Sequence, residues 1–196
     1  MANDSPPNSK THGHWLFVQE FLKHPLQIGS IIPSSRFLEQ RIVEAAEAVS
    51  VNVIIELGPG TGGVTRAILR AMPRNAKLLT IEINEHFNRL VSGIEDDRLI
   101  AHQGSASELR QIISLYGLGP PNAIVSGIPF STMKRGVGSQ IIETVASVLA
   151  PDGRFVAYQV HNHVAALGEP VLGSAEVAVE LLNIPPMRIF RWVKKT

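Results

Sequence analysis

The stretch Val53-Ile54-Ile55-Glu56-Leu57-Gly58-Pro59-Gly60-Thr61-Gly62 reads as an apolar strand running directly into a glycine-rich turn. Glycines there permit positive φ and close approach of the backbone to a ligand. A helical pattern follows over Thr65–Met72, so strand, turn and helix are consecutive. Outward from this unit the alternation repeats. Strands are predicted at Lys77–Ile83, Leu99–Gln103, Ala123–Ser126 and Arg154–Val160, with helices at Glu85–Gly93, Glu108–Tyr116 and Gly138–Leu149 between them. Short apolar runs alternating with helices imply a mainly parallel sheet covered on both faces. Two β-rich segments, Glu176–Asn183 and Met187–Lys195, flank the Ile184-Pro185-Pro186 turn without a helix between them. They predict an antiparallel pair at the C-terminal edge.

Upstream, residues 1–11 are rich in Pro, Asn and Ser, and His12–His24 has the pattern of an amphipathic helix ended by Pro25. A loop over residues 27–35 follows, then a helix from about Arg36 to Val49 with Ser34 or Ser35 as its N-cap. The expected organisation is a tail, helix and covering loop over 1–35 and one α/β domain over 36–196.

Composition narrows the chemistry. The 196 residues are 44% hydrophobic and 18% charged, a globular balance. There are no cysteines, which excludes disulfide scaffolds, thiolate metal sites and cysteine nucleophiles. A net charge of +1 provides no global field for nucleic acid or acidic lipid. Neither a signal peptide nor a membrane-spanning segment is predicted, and the expected location is cytoplasmic.

Twenty residues after Gly62, Glu82 ends the second apolar strand. An acid in that place is positioned to accept from both hydroxyls of a ribose. The glycine spacing is Gly58-x-Gly60-x-Gly62, not the Gly-x-Gly-x-x-Gly of a dinucleotide site, and Glu56 precedes it. A carboxylate there repels a pyrophosphate but suits a ligand bearing an ammonium and a sulfonium. Glu56–Gly62 resembles the first motif of the class I S-adenosylmethionine-dependent methyltransferases. The resemblance implies a Rossmann-like, seven-stranded sheet over about Arg36–Thr196, with S-adenosylmethionine as cofactor and S-adenosylhomocysteine as product. It implies no metal. It places Ser34, Glu56, Gly58, Pro59, Gly60, Thr61, Gly62, Glu82, Ile83 and Ser126 around the cofactor. Gly104, Ser105 and Ala106 would flank adenine, with Ser105 where many relatives carry Asp.

The fourth strand ends Ser126-Gly127-Ile128-Pro129-Phe130. Adenine amino-methyltransferases carry Asn or Asp, a residue, Pro and an aromatic there, because an aryl amine needs acceptors on its N–H groups. Pro129 and Phe130 match; Ser126 and the extra residue do not. With Gly29–Arg36 upstream, the motif resembles the bacterial phospholipid N-methyltransferases, relatives of the ribosomal RNA adenine dimethylases. That resemblance implies stepwise methylation of phosphatidylethanolamine toward phosphatidylcholine. The alternatives are ribosomal RNA adenine N6-methylation and another amine lipid. It places Ser35, Arg36, Ile128, Pro129, Phe130 and Lys134 around the substrate. Phe130 would form an aromatic wall, and Arg36 and Lys134 would meet the phosphodiester.

A headgroup amine has a pKa near 10.4, lowered by desolvation and by a neighbouring sulfonium. Positioning and a proton exit then suffice. Tyr158, Gln159 and His161, from the end of the fifth strand, are the candidates for that exit, and an imidazole has the natural pKa for it.

The expected partner is a phospholipid at an anionic surface, on the inner face of the cytoplasmic membrane. Trp15, Phe17, Phe21, Leu22 and Lys23 fit an interfacial helix; packing of that helix on the domain is the alternative. Arg188–Lys195 holds four cations and no acid. In an edge strand its aromatics would face inward and its cations outward, which protects an edge or meets RNA phosphates. No dedicated nucleic-acid domain is expected.

Overall fold

Strand β1 (Val53–Leu57) is buried on both sides because helices cover both sides of it. The computed structural model describes residues 34–134 and 136–195; the expected N-terminal helix, with Trp15, Phe17, Phe21, Leu22 and Lys23, lies outside them. Strands β2 (Lys77–Glu82), β3 (Leu99–Gln103), β4 (Ala123–Ser126), β5 (Arg154–Gln159), β6 (Glu176–Glu180) and β7 (Met187–Val193) complete one sheet, ordered β3-β2-β1-β4-β5-β7-β6. The first five strands are parallel, and β7 runs antiparallel to both β5 and β6. Strand order reverses between β1 and β4, the switch point where open α/β sheets bind ligands at the carboxyl ends of their strands.

The alternation of side chains across β1 divides the core. Ile55 and Leu57 face α4 (Leu109–Leu115), α5 (Val137–Val148) and α6 (His163–Leu172), whose Ile112, Ile142 and Val164 join that side of the core. Ile54 faces α1 (Arg36–Ala45) and α2 (Gly63–Ala71), through Leu38, Ile42, Val64 and Ile68. Glu56 points to this second side, in register with Thr80 of β2 and Val125 of β4. Helix α3 (Glu85–Ser92) carries the β2–β3 crossover and is capped by Asn84, whose side chain accepts from the Phe87 N–H.

Two expectations change. Helix α6 is absent from the sequence reading because Gly168 and Pro170 interrupt its pattern. Gly168 is there for close packing: a Cβ on it would stand 2.7 Å from the Trp192 ring. Strand β7 is not an edge, since β6 pairs along its outer side. Its aromatics Phe190 and Trp192 do turn into the core. Arg191 is held by Glu47 and Glu176 and by the Ala45 carbonyl, so it serves the fold and is not a free basic patch.

Candidate functional site

The glycine turn is built by backbone conformations that only glycine adopts cheaply. Gly58 sits at φ 72° and Gly60 at φ 54°. A Cβ on Gly58 would press on the Ile128 side chain at 3.2 Å, so the β1 and β4 loops meet there. A Cβ on Gly60 would meet no atom within 4 Å: that side of the turn is open.

Glu82 is nearly buried at the end of β2 and clamps this turn. Its Oε2 accepts from the Gly60 N–H at 3.2 Å and its Oε1 from the Asn84 N–H at 2.9 Å. Burial raises its pKa, opposed by the backbone N–H groups of Asn84, Gly60 and Ile83. A carboxylate with two such bonds retains lone pairs for ribose hydroxyls. Ile83, next to it, exposes its aliphatic side chain.

Glu56 is buried completely. Its Oε2 accepts from the Thr65 hydroxyl at 2.7 Å, while its Oε1 is buried without a hydrogen-bond partner. Burial, with help from the Glu82 and Glu39 charges and against the Thr65 bond, pushes its pKa up to about 8. An orphaned carboxyl oxygen beside an open glycine turn fits a cationic ligand group, directly or through water. These residues therefore fit S-adenosylmethionine: the glycine turn for its backbone-like part, Glu82 for the ribose, Glu56 for the positive end.

The remaining candidates divide by where their side chains go. Gly104 adjoins Glu82 through its N–H on the Glu82 carbonyl, 3.0 Å away. Gly62 caps α2 in the left-handed conformation, Pro59 is buried and Thr61 exposed. The hydroxyl of Ser105 caps the short turn Ala106–Glu108 by accepting from the Ser107 N–H, so its adenine contact would compete with that bond. Ser35 is likewise the N-cap of α1, accepting from the Leu38 N–H, while Ser34 is half-buried beside it. Ser126 is buried and accepts from the Ile128 N–H at 3.4 Å. Ile128 and Pro129 are partly exposed, but Phe130 turns into the core at 1% exposure. The expected aromatic wall is thus a core residue, packed in the layer beneath α5. Arg36 is exposed with its guanidinium 5.0 Å from the Phe37 ring, and Lys134 is exposed.

Tyr158 differs from the expectation. Burial and the Glu56, Glu82 and Glu39 charges push its pKa upward, so the phenol stays neutral and takes no proton. Its hydroxyl instead fills the place a Cβ on Gly127 would occupy, 2.3 Å away. His161 is exposed just past β5.

Sequence reasoning missed Thr65 and Gly127. Thr65 is signalled by a polar residue on the sheet-facing side of α2, and Gly127 by a glycine closing an apolar strand. Gln159, at the end of β5 with the proton-exit candidates, donates its carboxamide N–H to the Ile128 carbonyl.

An O-methyltransferase from Bacillus cereus, solved in complex with SAH, has a similar fold: TM-score 0.67 and 15% identity over 91% of each chain. Fold, glycine turn and paired acids together define a class I S-adenosylmethionine-dependent methyltransferase, and the chain is one. No family model matches it. Over 143 residues it is 29% identical to an ornithine lipid N-methyltransferase from Singulisphaera acidiphila, covering 72% of this chain and 74% of that protein. A stretch of 71 residues is 38% identical to ribosomal RNA small subunit methyltransferase A of Laribacter hongkongensis; it covers 36% of this chain and 26% of that protein. The matched stretch thus spans about a quarter of the ribosomal RNA relative.

Removing the Glu82 carboxylate tests the ribose contact. Glu82→Ala loses a charge-assisted bond worth roughly 1.5–3 kcal/mol, or about 10- to 150-fold in cofactor affinity. Because Glu82 also clamps Gly60, calorimetry is expected to place the loss toward the upper end. An unchanged dissociation constant would leave this acid a turn clamp only.

Proposed function

We propose that the chain N-methylates the amine headgroup of a membrane lipid. Phosphatidylethanolamine, carried stepwise toward phosphatidylcholine, is the substrate read from the sequence; the ornithine lipid relative supports the wider class of amine lipids. The observation that carries this reading is the end of β4. Ser126 is buried, and its hydroxyl already accepts a backbone N–H. An aryl amine such as adenine needs a carboxamide or carboxylate acceptor there, to localise its delocalised lone pair. An alkyl amine has a localised lone pair and needs only to lose a proton and be aligned.

Bound S-adenosylmethionine supplies an electrophilic methyl group on a sulfonium, and displacement by the amine nitrogen leaves a thioether. The chain does the rest. Ile128 and Pro129 form a partly dry wall at the β4 end, and desolvation there lowers the ammonium pKa. Gln159 pins the Ile128 carbonyl and fixes that wall. Tyr158, neutral and packed on Gly127, holds the β4 and β5 ends together without taking part in proton transfer. The proton then leaves past exposed His161 to solvent.

Parallel assays of radiolabelled methyl transfer test this. Vesicles containing phosphatidylethanolamine, vesicles containing ornithine lipid, and small-subunit ribosomal RNA are the three substrates. Label is expected in at least one lipid and none in RNA. Label in RNA alone would replace this reading with adenine methylation.

A further inference from the structure

The turn between β6 and β7 exposes Leu181, Leu182 and Ile184 at 72%, 62% and 80%. Because β6 runs parallel to β5, this turn leaves the sheet on the same edge as the glycine turn and the Ile128–Pro129 loop. It lies two to three strand spacings from β4, about 10–14 Å at ~4.8 Å each. That is the reach of a lipid headgroup.

The exposure is built in. Glu180 is buried, paired with Arg41 at 2.9 Å, and accepts from the Leu182 N–H at 2.7 Å. Asn183 is buried too: its Nδ2 donates to the Pro185 carbonyl and its Oδ1 accepts from the Ser35 N–H, both at 2.9 Å. Polar side chains thus turn inward and hold the backbone, and aliphatic ones are left facing out. That inverts the usual pattern of a surface turn. The bond to Ser35 also ties the turn to α1, whose Glu39 lies against Gly63 behind the cofactor turn.

The charge around this tip has one sign. The rim segments 34–37, 128–134, 158–163 and 181–188 contain Arg36, Lys134 and Arg188, and no Asp or Glu. All three cations are exposed. Exposed aliphatic side chains with exposed cations on these segments match the boundary of an anionic bilayer, where tails take the first and headgroups the second.

We propose that the β6–β7 turn docks the enzyme on an anionic lipid bilayer, with Leu181, Leu182 and Ile184 entering the interface and Arg36, Lys134 and Arg188 meeting headgroups. The proposal rests on the amine-lipid reading of the site and adds the surface that presents it to its substrate.

The combined variant Leu181→Ser, Leu182→Ser, Ile184→Ser tests it in the full chain. Vesicles of equal phosphatidylglycerol and phosphatidylcholine are the probe. Partitioning onto them is expected to fall at least about tenfold, with melting temperature and cofactor affinity unchanged. With vesicular amine lipid KM should rise, while kcat on a short-chain amine lipid dispersed as monomers stays the same. Because the chain has no cysteine, Leu182→Cys carries an environment-sensitive fluorophore without background. Its emission should shift blue on adding vesicles, and the same label at Leu115→Cys, on the opposite end of the sheet, should not.

Equal partitioning of variant and wild type, or an unshifted label at position 182, overturns the proposal. So does a variant that changes only self-association in sedimentation, which would make the patch a contact between copies of the chain. Absence of methyl transfer to any amine lipid would defeat the substrate reading; the partition and fluorescence results decide the docking surface either way.

Discussion

Gly60→Val is expected to reduce S-adenosylmethionine affinity by more than about 100-fold, equivalent to ~2.7 kcal/mol, while circular dichroism retains the α/β signature. The glycine sits at φ 54°, where a β-branched residue is strained by about 1–3 kcal/mol. Relaxing that strain swings the Gly60 N–H away from Glu82, which loosens the acid as well. If the turn holds instead, the new side chain projects into the open side, where the Cβ alone meets nothing within 4 Å. Both routes remove the site. Calorimetry on the purified variant checks it, and retained affinity would put the ligand elsewhere.

Glu56→Gln is expected to act in opposite directions on stability and on binding. The unfolded carboxyl loses its proton near its ordinary value of 4.5, whereas the folded one holds it to about 8. Between those values the unfolded chain binds fewer protons, so this residue lowers stability progressively as pH rises from about 4.5 to about 8, and by a constant amount above. At roughly 1.4 kcal/mol per pH unit the full penalty is on the order of several kcal/mol. The ligand-free variant should therefore melt like the wild type near pH 4.5 and progressively above it toward pH 8, with a constant gap beyond. Cofactor affinity should fall in the same variant, because the orphaned oxygen no longer carries charge. In the wild type at neutral pH, binding should release a proton, seen as a calorimetric enthalpy that depends on the buffer. A melting difference independent of pH would mean that Glu56 is ionised throughout.

Much of the fold was legible because its central strands are buried on both sides. Val53–Leu57 and Ala123–Ser126 are mainly apolar runs with polar or glycine stops, and the structure ends them at those residues. Helix α6 was not legible, since Gly168 and Pro170 serve packing against Trp192 and the chain's exit rather than helix propensity. The position of β7 between β5 and β6 is a long-range pairing that no local pattern encodes. In the site, Glu56 and Glu82 were found through spacing from the glycines. What spacing does not carry is the third dimension. It does not tell that Thr65 reaches back to Glu56, that Tyr158 fills the hollow over Gly127, or that Phe130 turns inward. Nor does it reveal that the β6–β7 turn comes out beside the site, since that follows from β6 being parallel to β5.

The measurement that bears most directly on the central claim is the fate of the methyl group. S-adenosylmethionine carrying a deuterated methyl is incubated with the protein and vesicles containing phosphatidylethanolamine and ornithine lipid, with ribosomal RNA present, and all products are fragmented by mass spectrometry. The account predicts deuterated methyl on the headgroup nitrogen of an amine lipid, lost in Gly60→Val. Deuterium on adenine, or on no lipid nitrogen, would contradict it.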